Sequence, residues 1–435
     1  MPFGPVQPAV PTLAPHASIL DLLLFAACFA AVTVAARRKP VLAVVALIAL
    51  DPFAFYRSAG MTTLTLSKVA LLGALLGLFL RNASFREPWS ASGKRLLLAV
   101  GLVAAAVALS AWHADARLPV LRELLKWIEY GAILTVCGTA FYADRDEALV
   151  RWSILLTTAT VIALAIPELF VGASSGTTIG GIEVPRIAGP LEGPNQLAAY
   201  LGLTLPVILA YTLQHGRRWP EIFTIAAGVV ATILSISRAG IVALLLALFF
   251  VVILSTASRG VRSLFMAAAA ALLIAAATGW RLVAGGIGLV TAGAHHHVEI
   301  RGGLGTRREL WEAAAELWRR HPLWGIGAGN YELEVGKLLH APIKTHTNSF
   351  YLQSLVEGGI PLFAAALFLV YSSIATFIRD VRTPLIAAAV AASAALSLHF
   401  VLDLLVFYPK VGMQWMILLG LAVADAAAVR HTSRS

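Results

Sequence analysis

Ser237-Arg238-Ala239-Gly240-Ile241-Val242-Ala243-Leu244-Leu245-Leu246-Ala247-Leu248-Phe249-Phe250-Val251-Val252-Ile253-Leu254 decides the fold. From Ala239 to Thr256 no residue is charged, and a helix needs about 20 such residues to cross a bilayer core. A single arginine, Arg238, stands at the edge of the run. The rest of the chain repeats this theme. Of 435 residues, 59% are hydrophobic and 13% charged, whereas soluble domains hold roughly 45–50% apolar and about 25% charged residues. A soluble enzyme, a disordered chain and a peripheral membrane protein are excluded. The expected fold is all-α, a polytopic integral membrane protein.

Apolar runs of spanning length occur at Ser18–Ala35, Pro40–Tyr56, Thr62–Leu80, Leu96–Trp112, Pro119–Tyr142, Trp152–Val171, Gln196–Leu213, Ile222–Ile236, Ala239–Thr256, Ser263–Ala284, Phe350–Ile378, Leu385–Leu405 and Val411–Val429. Pro40–Tyr56, interrupted by Asp51-Pro52, is the weakest, so twelve or thirteen spans are expected. Arg37-Arg38-Lys39, Arg81/Arg86/Lys94/Arg95, Arg145/Arg151, Arg217-Arg218, Arg259/Arg262 and Arg379/Arg382 recur at every second connection. The positive-inside rule makes those connections cytoplasmic. Gly172–Asn195, Ser237-Arg238 and Gly285–Thr345 then face outward. The division expected is a helix bundle over 1–284, an outward helical loop over 285–347 and further spanning helices over 348–435. The formal charge of +10 suits anionic lipid; the partner expected for it is the phospholipid bilayer, not a nucleic acid. Cys28 and Cys137 both lie in apolar runs and form no redox motif.

The long outward segment breaks the rule that outward loops are poor in arginine. Gly285–Thr345 holds Arg301, Arg307, Arg308, Arg319, Arg320, Lys337 and Lys344, with His295, His296, His297, His321 and His340. Thr306-Arg307-Arg308-Glu309 reads as a capping box. Leu310, Trp311, Ala314, Leu317 and Trp318 then recur on one face up to His321-Pro322, a pattern that suits a helix lying on the membrane surface with Arg319 and Arg320 at its flank. Arg307 and Arg308 would occupy the first helical turn, where the dipole disfavours cations. A bound phosphate explains such a concentration of positive charge; solvated arginines offset by Glu309 and Glu312 are the alternative. Arg238, at the outer boundary, serves a substrate path or snorkels to head groups. Arg186 stands in a turn-rich loop that ends at a helix start, with Asn195 as a cap.

His346 lies in Lys344-Thr345-His346-Thr347-Asn348-Ser349, directly before an apolar run that Thr347 or Asn348 would cap. A histidine there can accept a proton from a hydroxyl, and neighbouring arginines with the helix N-terminus would keep it neutral; a structural role is the alternative. Lys126 and Glu129, three apart, and His399 and Asp403, four apart, can pair along helix faces. Gly325-Ile326-Gly327-Ala328-Gly329-Asn330 follows no strand and reads as a turn rather than a nucleotide site. His295–His297 is a weak metal motif.

Three stretches resemble the O-antigen ligase and polymerase family of bacterial envelope glycosyltransferases. They are Ser237-Arg238-Ala239-Gly240, the run from Arg307 through Trp311 to Gly325–Tyr331, and His346 through Glu357-Gly358-Gly359-Ile360-Pro361. Arg186 with Gly189 and Pro194-Asn195 is similar to the family's upstream pattern. Family members often have histidine directly before asparagine, whereas Thr347 intervenes here between His346 and Asn348. The family arginine lies four residues before the tryptophan, which selects Arg307 over Arg308. The resemblance implies about 12 transmembrane helices with a long periplasmic loop in the bacterial inner membrane. It also implies a glycosyltransferase facing the periplasm, taking its donor from an undecaprenyl-diphosphate-linked glycan. On this reading His346 is the base, Arg238 and Arg307 bind the diphosphate, and Arg186, Arg308 and Asn348 contact substrate. No metal or other cofactor is expected. Lipid A-core is the acceptor expected of a ligase, which a long basic outward segment suits. A polymerase of the same family, a transporter of an anionic lipid-linked sugar and a non-catalytic assembly partner remain as alternatives.

Overall fold

The computed structural model describes residues 18–255 and 304–432, apart from positions 54, 60–61, 86–88, 90, 172–174, 180–181, 217, 339–345, 379–380 and 382. The expected span Ser263–Ala284 and the His295–His297 motif lie outside the described residues.

The helices are α1 (Ile19–Arg38), α2 (Val41–Leu50), α3 (Leu66–Leu80), α4 (Ala91–Ser110), α5 (Arg117–Ala143), α6 (Glu147–Ala165), α7 (Glu168–Val171), α8 (Pro194–His215), α9 (Trp219–Leu234), α10 (Arg238–Ser255), α11 (Leu304–Arg320), α12 (Tyr331–Leu338), α13 (Phe350–Ala375), α14 (Pro384–Leu402) and α15 (Pro409–Thr432). Among the described residues nine helices are long and apolar enough to cross a bilayer, and α2, α3 and α9 are shorter apolar helices. The chain is a multi-pass, all-α membrane protein.

Two small antiparallel hairpins interrupt the expected runs. Tyr56–Ala59 pairs with Thr62–Thr65, and Ser175–Ile179 with Ile182–Arg186. The run Pro40–Tyr56 is therefore not one helix. α2 ends at Leu50 with Asp51 still helical in geometry and bonded to the Leu47 carbonyl, because the next residue, Pro52, has no N–H to continue the ladder. The run from Thr62 begins as a strand and becomes helical only at Leu66, where the Thr65 hydroxyl accepts from the Lys68 N–H.

Burial orders the bundle. α15 and α8 are enclosed nearly throughout, whereas α1 is a rim helix with Leu20, Leu22, Leu23 and Leu24 exposed. Without a hydrophobic drive between helices in lipid, close approach needs small residues. Gly420 of α15 supplies one: a Cβ there would stand 2.7 Å from the Leu134 carbonyl oxygen of α5. One end of the bundle is tied by Lys39–Asp146 (2.7 Å), by Asp425 held between Arg145 and Thr383, and by Arg81 donating to the carbonyls that end α1.

The opposite end carries α11 and α12. The apolar stripe of α11 does not face lipid, contrary to the surface-helix expectation. Leu310, Ala313, Ala314 and Leu317 are buried, the last three packing with Ile326, Tyr331, Val335 and Val356, while the Tyr331 hydroxyl donates to the Leu310 carbonyl (2.8 Å). Protein surface satisfies the stripe more completely than a membrane boundary would. Arg319 and Arg320 pair with Glu316. α11 also begins at Leu304, so Thr306 lies inside the helix and is not its cap; the segment contains no proline to stop the helix earlier.

The glycine-rich stretch is a turn, as its context requires. Gly325, Gly327 and Gly329 all adopt positive φ, the region open to residues without Cβ. The turn lies against the kink of α13 at Gly359 (φ 62°, ψ −157°), with Ile326 N–H donating to the Val356 carbonyl (3.0 Å) and Gly327 N–H to that of Glu357 (2.8 Å). A Cβ on Gly359 would collide with the Leu323 carbonyl. Gly359→Ala should therefore cost at least about 2 kcal/mol, from left-handed strain plus overpacking. Gly202→Ala, where a Cβ meets nothing within 4 Å, should be neutral or stabilising by up to about 1 kcal/mol. Thermal unfolding of the purified protein in detergent measures both.

Candidate functional site

Arg186 closes the second hairpin. Its Nε donates to the Ser235 carbonyl (2.8 Å) and its Nη2 to Asn195 Oδ1 (2.8 Å). Asn195 is not the helix cap expected for it. Gly193 occupies that place with Pro194 as the first helical residue, which frees the Asn195 amide to bridge Arg186 to Asp403. Burial draws the Arg186 guanidinium down to about 10, Asp403 opposes this, and the charges of Arg307 and Arg238 add to it. The group stays charged at neutral pH. Arg186, Arg238 and Arg307 thus share one electrostatic field around Asp403, although they are far apart in sequence.

Arg238 is exposed at the first position of α10, and the Ser237 hydroxyl accepts from the Gly240 N–H there (3.3 Å). The remaining N–H groups and the dipole of that terminus favour an anion. The two arginines of α11 part company. Arg307 is half-buried and its charge acts on Arg186 and Asp403. The Arg308 side chain is 83% exposed and pairs with Glu312 at 2.8 Å, one helical turn on.

His346 packs its ring against Phe407, with centroids 4.1 Å apart, and its Nε2 lies 3.5 Å from Glu332 Oε1. Burial lowers its pKa to about 4, with the Lys126 ammonium adding to the effect. Neutrality was expected from arginines and a helix terminus; desolvation and a lysine supply it instead, because the ring is turned into the protein. Ser349, not Thr347 or Asn348, caps α13, its hydroxyl accepting from the Leu352 N–H. Asn348 takes positive φ (53°), which asparagine tolerates better than most residues.

Thr347, the residue inserted between His346 and Asn348, is the anchor of this loop. It is fully buried. Its carbonyl accepts from Trp311 Nε1 (2.7 Å), its N–H donates to Gln353 Oε1 (3.0 Å) and its hydroxyl donates to the Ser349 carbonyl (2.9 Å). Phe350 N–H donates to the Asp403 carbonyl (3.2 Å). Arg307 and Trp311, one turn apart on α11, therefore serve the arginine group and the histidine loop respectively.

Neither of the two pairings expected along a helix is the direct contact formed. Lys126 bonds Glu123 (2.7 Å) and the Phe407 carbonyl (3.3 Å), while Glu129 meets Lys68 (3.7 Å). Asp403 accepts from Asn195 and from its neighbour's N–H, Leu404 (2.8 Å), not from His399. Sequence reasoning missed Glu332 and Phe407 beside His346, and Glu123 beside Lys126. Only the i,i+3 spacing of Glu123 and Lys126 gave any local signal. Next to Phe407 lies a small recess of about 30 Å³, lined among others by Glu123, Lys126, Trp127, Gln353, Ser354 and Phe407. Among the described residues no three His, Cys, Asp or Glu side chains converge to hold a metal.

Residues 222–367 match a family model described as O-Antigen ligase. No curated protein matches the chain. The matched segment contains Arg238, Arg307, Trp311 and His346, and runs from α9 into the kinked α13. Through this segment, about a third of its length, the chain is similar to the O-antigen ligase family.

Proposed function

We propose that the protein is an O-antigen ligase. It transfers a glycan from undecaprenyl diphosphate to lipid A-core oligosaccharide at the periplasmic face of the bacterial inner membrane, without a metal. The observation that carries this reading is that Asp403 joins the Arg186–Asn195 pair to the helix start just after His346, through the Asn195 amide and the Phe350 N–H, with Arg238 and Arg307 near enough for their charges to act on Arg186. A lipid diphosphate needs guanidinium groups at the membrane boundary, where bidentate bonds hold its oxygens and neutralise the leaving group. The acceptor hydroxyl needs a base, and His346 takes its proton. Direct displacement inverts the anomeric centre. Arg307 is the phosphate ligand of α11, Arg308 a helper at its solvent side, and Asn348 a substrate contact beside the base. The long basic segment favours a phosphorylated acceptor, hence ligase; the family match is equally compatible with polymerase.

A base held near pKa 4 is unprotonated at neutral pH but weakly proton-accepting. Two negative phosphates arriving beside it favour the imidazolium and raise that value in the complex. The acid limb of kcat/KM, which reports the free enzyme, is therefore expected near pH 4, and the limb of kcat at higher pH. The same shift sets the stability. An unfolded histidine titrates near 6.5, so the unfolded chain takes up the proton first, and His346 subtracts stability as pH falls from about 6.5 toward 4. Coincident limbs at pH 6.5 would refute the buried neutral base.

Reconstitution with lipid-linked glycan and lipid A-core tests the reaction itself. Wild type should yield a higher-mass lipid A product. His346→Ala should lose at least about 10²-fold in kcat with donor binding intact. Arg307→Ala should weaken donor binding by about tenfold or more, and Arg308→Ala by no more than about twofold. Lengthening of the donor without acceptor would identify a polymerase; relocation of intact donor across the bilayer would identify a transporter.

A further inference from the structure

We infer that Glu332 is the positioning partner of His346 and the outlet for its proton. This rests on the glycosyl-transfer reading of the same site and adds to it how the base is held and how it is reset.

The carboxylate is placed by its neighbours in the chain. Asn330 is fully buried, its amide donating to the Ala116 carbonyl (2.9 Å) and accepting from the Ala116 N–H (3.1 Å). Tyr331, also fully buried, donates its N–H to Glu357 and its hydroxyl to the Leu310 carbonyl. The start of α12 is thereby tied to the residue before α5, to α13 and to α11. Glu332 leaves it toward the histidine loop, its Oε1 3.5 Å from His346 Nε2. Two residues turn a helix by about 200°, so Glu334 points elsewhere and pairs with Lys337 (2.7 Å). Of these two acids in the first turn of α12, Glu332 is the one turned to the base.

The imidazole is gripped from other elements too. Phe407, in the 3-10 turn Leu405–Phe407, stacks on the ring with centroids 4.1 Å apart. Lys126 Nζ lies 4.6 Å from the Phe407 ring centroid and donates to the Phe407 carbonyl (3.3 Å). Glu123 in turn bonds Lys126 (2.7 Å). The Nδ1 atom of His346 is buried, so a hydroxyl reaches the ring at Nε2, the nitrogen that faces Glu332.

Glu332 of α12 and Lys126 of α5 act on the ring in opposite senses. Burial and the Lys126 charge keep the resting ring neutral. A carboxylate within about 4–6 Å favours the charged ring, so Glu332 steadies the imidazolium once it forms. The acceptor oxygen bonds the anomeric carbon as the bond from that carbon to the diphosphate oxygen breaks, and the electron pair leaves on the diphosphate. The hydroxyl proton passes to His346 Nε2, then to the Glu332 carboxylate and on to water. Glu332 suits the last step, its side chain being 42% exposed against 16% for His346. The histidine returns neutral for the next turnover.

The test is steady-state transfer by the purified full chain from undecaprenyl-diphosphate-linked glycan. The acceptor is the one that wild type uses, lipid A-core or a second lipid-linked glycan. Glu332→Gln is expected to lower kcat at least about tenfold, with the donor KM within about twofold of wild type. An unchanged donor KM also reports correct folding. Glu332→Asp, which keeps the charge, should recover much of the rate. The pH profile separates positioning from mere support of the fold. Losing the carboxylate should move the acid limb of kcat to lower pH, and Lys126→Gln, which loses the cation, should move it to higher pH. Glu334→Gln should leave both rate and limb as in wild type. An active wild type whose Glu332→Gln variant keeps kcat, or loses rate with the limb in place, overturns the role of Glu332 alone. A wild type that makes no product sinks the glycosyl-transfer reading, and this one with it.

Discussion

Glu357 locks the end segment onto the membrane bundle. It is buried in α13 directly before the Gly359 kink, and its carboxylate accepts from the Tyr331 N–H (3.2 Å) and from Gln353 Nε2 (2.7 Å), while its carbonyl accepts from Gly327 (2.8 Å). A buried carboxylate is tolerated only when such donors surround it. Those donors come from the glycine turn, from α12 and from α13 itself, so satisfying one side chain draws three elements together. Gln353 then passes the constraint on, its amide oxygen accepting from the Thr347 N–H (3.0 Å). The position of His346 thus depends on a buried side chain that reaches it through Gln353 and Thr347.

The electrostatics of the site follow from two further cations acting on Arg186, which is itself bonded to the Ser235 carbonyl and to Asn195. Three guanidinium groups share a field in which Asp403 is the acidic member acting on Arg186. Like charges so placed repel, and the repulsion is relieved by an anion. His346 is treated in the opposite way: burial keeps it neutral, with the Lys126 ammonium adding to the effect. Trp311 and Thr347 hold the loop that carries it.

How far the sequence could be read depended on whether a residue's role is set by near or distant neighbours. The break at Asp51-Pro52 and the turn at Gly325–Gly329 are local facts, and both were legible. Lys126 was paired with Glu129 because helix spacing offers both Glu123 and Glu129, and only Lys68 on α3, which takes Glu129, decides between them. The stripe of α11 was legible as apolar, but not the surface that covers it. Asn195 looked like a cap because caps are recognised by residue type; Gly193 and Pro194 took that role, and Asn195 went to Arg186.

Hydrophobic run length and the placement of basic loops determine from sequence alone that this is a many-spanning helical membrane protein, because solvation by lipid or water acts on each segment by itself. The candidate residues were equally visible as residue types out of place: arginines beside an apolar boundary and a histidine at a helix start. Which of them meet was decided only by the tertiary structure. Arg186, Arg238 and Arg307 are brought together by a hairpin end and two helix starts, and His346 finds Phe407, Glu332 and Lys126 on three further elements. Contacts between residues so distant in sequence arise from helix packing, which no local pattern encodes.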